Sequence, residues 1–165
     1  MTTILTAIDP GTESSGVVDL DVDVWPPTVL GFEDATDNRE ITETLGPGAA
    51  PCLAIEMIAS YGMPVGEETF NTCVWIGRFV QAAMPIEADL IPRLDVKMAL
   101  CHDSRAKDAN IRRAILDLYP ATGGGKTPQV GTKKKPGPLY GVKSHSWAAL
   151  AVGLTWCLKR RSDVR

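Results

Sequence analysis

Two carboxylates sit in places that ask for an explanation. LAIEMI, residues 53–58, is a short apolar run that reads as a buried strand, and Glu56 interrupts it. ILTAID, residues 4–9, is a second run of the same kind, closed by Asp9 just before the turn-forming Pro10-Gly11. An ionised carboxylate in apolar surroundings costs several kcal/mol unless something compensates it. If the two strands are sheet neighbours, Asp9 and Glu56 converge at one strand end. Two close carboxylates repel and raise one pKa unless a divalent cation lies between them. Mg²⁺ accepts one or two carboxylates and keeps positions open for substrate phosphates. Two such ions can drive phosphodiester hydrolysis by activating water and stabilising the leaving oxygen. The plainer alternatives are a turn-forming role for Asp9 and an ion pair between Glu56 and a lysine or arginine at the strand end.

Charge is distributed unevenly around these two acids. Residues 1–60 hold 11 acidic and 1 basic residue, whereas residues 93–165 hold 5 acidic and 15 basic. A basic half of this kind points to a polyanionic partner, although the whole chain carries a net charge of −3. With 165 residues, 44% hydrophobic and 22% charged, the chain suits one soluble domain spanning 1–165. No apolar run approaches the roughly 18 residues of a membrane helix. The N-terminus lacks a basic segment and meets Asp9 early, so no signal peptide is expected and the location is read as cytoplasmic. Cys52, Cys73, Cys101 and Cys157 lie far apart with no CxxC pair, which reads as reduced, buried thiols.

The elements that must position the acids follow from periodicity. ILTAID (4–9) is a strand, and a second alternates from Gly16 through Leu20, Val22 and Val24 until Pro26-Pro27. TVLGFE (28–33) returns as a third, Asp37 caps a short helix over 38–45, and CLAIEMI (52–58) is a fourth strand. A helix is expected from about 67 to 83, with Glu67 and Glu68 in its first turn, where carboxylates favour the helix dipole. ADLIPRLDV (88–96) reads as a fifth strand or extended segment. In AKDANIRRAILDL (106–118), Ile111, Ala114, Ile115 and Leu118 form an amphipathic stripe. The last helix, about 144–160, aligns Trp147, Leu150, Ala151, Leu154 and Leu158, with Ser144 as its N-cap. Three strands on short turns followed by alternating strands and helices predict an α/β fold with a mixed sheet flanked by helices.

Between the last two helices, residues 122–141 contain six glycines, three prolines and four lysines. This composition predicts a flexible basic loop, at about 120–142, that meets a phosphate backbone. Its GGGKT resembles part of a nucleotide-binding loop, but Pro120 stands where that motif needs glycine, and the segment follows a helix rather than a strand. No nucleotide cofactor is expected. Tyr61, in the SYGM turn after Glu56, is placed to stack on an unpaired base, while Phe70, Trp75 and Trp147 are expected in the core.

AIDPGTESSGVV, LAIEMI, PRLDVKMALCHDSRAKDANIRRAIL and SHSWAALAVGLTW, in that order, resemble RuvC-type Holliday junction resolvases, particularly their phage relatives. The resemblance spans about residues 4–158. DPGT alone is only moderately specific, since YqgF-type nucleases and actin-like ATPases carry similar turns; the ordered set is stronger. The resemblance implies an RNase H-like fold with a five-stranded mixed sheet and a homodimer, for which the helix over 67–83 is the expected interface. It implies Mg²⁺- or Mn²⁺-dependent paired nicking of four-way DNA junctions, with two ions per site and no membrane association. Asp9 and Glu56 match the first two metal-binding acids, and Lys97 and Lys107 match lysines used near the DNA backbone. The family's last helix usually carries an acid or histidine and then an aspartate three residues later; here these are His145 and Ala148. The implied catalytic set is therefore Asp9, Glu56, His145 and Lys107, with Asp9, Glu56 and His145 on the metal. DNA contacts are expected from Tyr61, Lys97, Arg105, Lys107, Lys126, Lys133, Lys134, Lys135 and Lys143. Ala148 binds nothing, so His145 acts alone, or Glu68, Asp103 or Asp108 substitutes, or the chain is an inactive variant. Besides a junction nuclease, two alternatives stand: a non-catalytic branched-DNA-binding protein of the same fold, and a YqgF-like RNA-processing nuclease.

Overall fold

The computed structural model describes residues 1–163. Along the chain it places β1 (Ile4–Asp9), β2 (Ser14–Asp21), β3 (Thr28–Asp37), α1 (Asn38–Thr44), β4 (Cys52–Met57), α2 (Glu67–Ala83), β5 (Ala88–Pro92), α3 (Arg93–Cys101), α4 (Asp108–Leu118) and α5 (Ser144–Asp163). The strands form one five-stranded sheet in the order β3-β2-β1-β4-β5. β1, β2 and β3 run antiparallel on short connections, whereas β4 lies parallel to β1 and β5 parallel to β4. Parallel neighbours need a crossover, and α1 and α2 serve in those connections.

Strand alternation divides the core in two. Leu5, Ala7, Val18 and Leu20 face one side of the sheet and pack under α5. Ile8, Leu53 and Ile55 face the other side and meet Ile41 of α1 with Ile76, Phe79 and Ala83 of α2. α5 is more deeply enclosed than a single stripe predicts. Every residue from Ala149 to Cys157 is buried, because the sheet covers one side of the helix and α3 and α4 the other. Gly153 permits the close seat: a Cβ there would lie 2.5 Å from Leu20 Cδ1 and 3.2 Å from the Ala7 Cβ. No helix among the described residues is long and apolar enough to cross a membrane.

Several local expectations are corrected. The segment expected to stay extended to residue 96 turns at Pro92 and continues as α3. Proline cannot donate to a ladder, so it ends the edge strand, and its fixed φ suits the entry to a helix. Alternating Leu90, Pro92, Leu94 and Val96 imitate a strand, but it is Val96 and Leu100, four apart, that reach the core. β3 runs on to Asp37, four residues beyond the expected end. Asp37 does cap α1, accepting from the Arg39 N–H at 2.8 Å. Ser144 is not an N-cap of the usual extended kind: it takes φ 39°. The first turn is held instead by Ser146, whose N–H donates to Asp34 Oδ1 at 3.1 Å and whose Oγ accepts from the Lys143 N–H at 3.0 Å. Phe70 is 61% exposed, because α2 buries the face carrying Thr72, Ile76 and Phe79 and leaves Phe70 off it. Trp75 packs partly against the α2 core and Trp147 is buried, as expected. All four cysteines are free thiols, but only Cys157 is buried.

Residues 119–143 carry no helix or strand, yet the main chain closes on itself. Gly124 N–H donates to Lys135 O, Gly137 N–H to Val130 O and Leu139 N–H to Gln129 O. Leu139 is fully buried, a core contribution that the glycine, proline and lysine content concealed.

Candidate active site

The two acids come together through sheet register. β1 and β4 pair with Ile8 opposite Ile55, so one further residue along the ladder sets Asp9 beside Glu56 at the carboxyl ends of two parallel strands. In open α/β sheets that is where ligands bind. Since Ile8 and Ile55 face α2, Asp9 and Glu56 face the α5 side. The turn after Asp9 is held by a buried network: Ser15 Oγ donates to Asn38 Oδ1 at 2.5 Å, and Asn38 Nδ2 donates to Gly11 O at 3.0 Å. Gly11 N–H closes the ring onto Ser15 Oγ at 3.1 Å. Neither Ser15 nor Asn38 has a sequence signature for this role, since the two meet across 23 residues.

The first turn of α5 delivers His145, whose Nδ1 lies 3.4 Å from Asp9 Oδ2. Gly16, the partner of Asp9 in the β1–β2 ladder, makes that approach possible. A Cβ on Gly16 would fall 2.5 Å from the His145 carbonyl oxygen and 2.8 Å from the His145 Cβ. α3 delivers Arg93 from its first position. Arg93 Nη1 donates to Glu56 Oε2 at 3.3 Å, and Nη2 donates to Asp108 Oδ1. The expected alternative for Glu56, an ion pair with a basic residue at the strand end, is therefore present. Arg93 escaped sequence reasoning because the run around it looks extended, and only the turn at Pro92 aims it back at β4.

Electrostatically the site is overloaded with negative charge. Burial pushes the Glu56 carboxyl up to about 7; Arg93 opposes the rise while Asp9 and Asp108 add to it. Burial also raises Asp9, against the pull of His145 and Arg93. Among the described residues no three His, Cys, Asp or Glu side chains form a ready-made metal cage. The donor set nonetheless fits a hard divalent cation. Two half-buried, mutually repelling carboxylates with an imidazole beside them suit Mg²⁺ or Mn²⁺, and Mg²⁺ is usually held by one or two carboxylates plus water. Asp9, Glu56 and His145 are thus brought together.

The remaining candidates lie outside that cluster. Lys107 is exposed immediately before Asp108, its N–H bonded to Asn110 Oδ1 at 2.9 Å. Lys143 is exposed two residues before His145, Tyr61 is 64% exposed, and Lys97 is half-buried on α3. Arg105 lies 3.9 Å from Asp103. Lys126, Lys133, Lys134 and Lys135 are exposed on the 119–143 segment. Among the described residues none of these lysines is paired with an acid.

No protein-family model matches the sequence, and no curated protein matches it either. Solved structures do. The Thermus thermophilus RuvC structure aligns with a TM-score of 0.69 at 18% identity, over 97% of this chain and 96% of that one. T. thermophilus RuvC in complex with Holliday junction substrate aligns with a TM-score of 0.69 at 19% identity, over 98% and 96%. At such identity the likeness concerns the fold: the chain adopts the five-stranded, mixed-sheet, RNase H-like fold of RuvC.

Proposed function

We propose that this chain is a divalent-metal-dependent endonuclease that resolves four-way DNA junctions by paired, symmetric nicking. The observation that carries the proposal is the convergence of Asp9 and Glu56 at the carboxyl ends of β1 and β4 in a RuvC-like fold. The solved relative held on a Holliday junction makes branched DNA the substrate class to test first. Asp9 and Glu56, with His145 alongside, would hold Mg²⁺ or Mn²⁺, two ions per site. When bound, the metal supplies water activation and charge neutralisation at the phosphate. Arg93, bonded to Glu56, orients that carboxylate. Lys107, exposed at the edge of the acids, is assigned to a backbone phosphate near the scissile bond. Lys97, Arg105, Lys126, Lys133, Lys134, Lys135 and Lys143 supply the non-specific phosphate attraction, and Tyr61 stacks on an unpaired base.

A two-fold dimer would present one site to each of two opposed strands. Support for it comes from α2 and the segment before it, where Met63, Val65, Phe70 and Val74 are exposed. Light scattering of the chain in solution reads the dimer directly.

The deciding experiment incubates the chain with synthetic four-way junction, linear duplex and structured RNA, in Mg²⁺, Mn²⁺ and EDTA. Symmetric nicks on the junction alone, dependent on metal and lost in Glu56→Gln, are the expected result. Preferential cutting of the RNA would move the activity to an RNA-processing nuclease. Two observations favour a second reading, a junction-binding protein without turnover: the Arg93 cation is paired with Glu56, and position 148 carries no acid. That protein would bind junctions tightly and salt-sensitively and cut none in either metal.

A further inference from the structure

The acid absent at Ala148 has a replacement in space. Resting on the metal-nuclease reading above, we propose that Asp108, at the start of α4, is the third carboxylate of the metal site, positioned by Arg93 and filling the role that position 148 leaves open.

Of the three acids considered as substitutes, the structure separates Asp108 from the other two. Asp103 turns into its own loop, accepting the Arg105 N–H at 2.8 Å. Glu68 lies in the first turn of α2, the helix that packs on the opposite face of the sheet from α5. Asp108 shares one guanidinium with Glu56: Arg93 Nη2 donates to Asp108 and Nη1 to Glu56. Through the two ends of that one planar group, Asp108 is joined to the acid pair of β1 and β4 by a single intervening side chain.

The packing of α4 explains the placement. Ile111 and Ile115 are buried, and Arg112 lies over the Trp147 ring at 4.7 Å from its centroid, which fixes α4 against α5. Asp108 stands three and four residues before Ile111 and Arg112 and so shares their face. Arg93, Asp108, Ser144, Trp147 and Ala148 together line a cleft of about 100 Å³. The short side chain at 148 leaves the space, and the Asp108–Arg93 pair borders it. Asp108 is 91% exposed at its side chain, so a bound cation can exchange it from Arg93 without unpacking the core. The charge of Asp108 is felt at both Asp9 and Glu56, raising each. An ordinary aspartate in a helix first turn would need none of these relations.

The test measures Mn²⁺ binding by electron paramagnetic resonance of the free ion, on the full chain without DNA, beside junction binding in EDTA and nicking in Mn²⁺. Asp108→Asn is expected to weaken Mn²⁺ binding and slow nicking about 10- to 100-fold while junction affinity stays near that of the wild type. Asp103→Asn, the control, should bind Mn²⁺ as the wild type does. In the Asp108→Asn background, Ala148→Asp should restore Mn²⁺ affinity, because it returns a carboxylate to the same cleft from α5. Mn²⁺ affinity of Asp108→Asn within about twofold of wild type overturns the proposal. Loss of affinity with no recovery in the double variant, when circular dichroism shows it folded, also overturns it, since the two positions would not be interchangeable. A wild type that neither binds Mn²⁺ nor nicks any branched substrate would instead bring down the nuclease reading itself, a distinguishable failure.

Discussion

α5 belongs to two regions built on opposite terms. Its body, from Ala149 to Cys157, is sealed between the sheet and α3 and α4, and no buried side-chain polar atom among the described residues lacks a partner. Its first turn carries His145 to Asp9 at an edge where one arginine, Arg93, joins Glu56 to Asp108. In the core every contact favours the fold. At the edge Asp9 and Glu56 repel each other and are raised by burial, so their charged forms are held at a cost to stability. A group kept in that condition is ready to gain from a cation, which is why strongly perturbed acids mark functional sites. One helix thus supplies stability along its body and brings His145 to the acids at its tip, with Gly16 as the clearance that lets the tip approach.

The largest effect that would sharpen this division is at Glu56. Glu56→Gln is expected to cut nicking about a hundredfold or more while leaving the thermal midpoint at or above that of the wild type, because it removes a buried charge. Loss of folding in that variant would show that Glu56 is needed for stability as the core is. Next comes the core: Leu154, fully buried, should cost about 2–5 kcal/mol when replaced by alanine, read by urea denaturation. The folded fraction of Leu154→Ala should nick at the wild-type rate. Gly16→Ala tests the join between the regions. The new methyl meets His145 main chain, so the variant should lose about 1–3 kcal/mol and nick more slowly with junction affinity retained.

A smaller effect is the pH dependence of the metal-free chain. The folded pKa of Glu56, about 7, lies above its unfolded value of 4.5. Between those values the folded state holds the extra proton, so Glu56 makes stability fall as pH rises, with a ceiling of about 1.4 kcal/mol per pH unit. In EDTA the stability advantage of Glu56→Gln over wild type should widen from pH 5 to 7 and level off above. A constant gap across that range would show that Glu56 is not raised. The smallest effect is at Lys133, Lys134 and Lys135, where replacement by alanine should flatten the salt dependence of junction binding by up to about one unit of slope per lysine.

How much of this could be read along the chain depended on whether the signal was local. β1, β4 and α2 are evident from period-two runs, from the Gly66 break and from the acids in the first turn, because each is decided by neighbours within a few residues. The acid pair stood out for the same reason: a carboxylate inside an apolar run is conspicuous wherever the strand lies. α3 was hidden, since alternating apolar residues across Pro92 imitate a strand until the helix finds its packing partner. Phe70 was misplaced because which face of α2 is buried depends on α1 and the sheet, not on α2 itself.

Sequence alone was enough to set Asp9 and Glu56 at the ends of two strands and to place a basic, glycine-rich segment before a final apolar helix. Tertiary structure decided which charges meet them. Arg93 reaches Glu56 only because α3 turns back directly from β5, and Asp108 reaches Arg93 only because α4 docks on Trp147. Electrostatic pairing depends on distances of a few ångströms between residues far apart in the chain, and folding alone sets those distances.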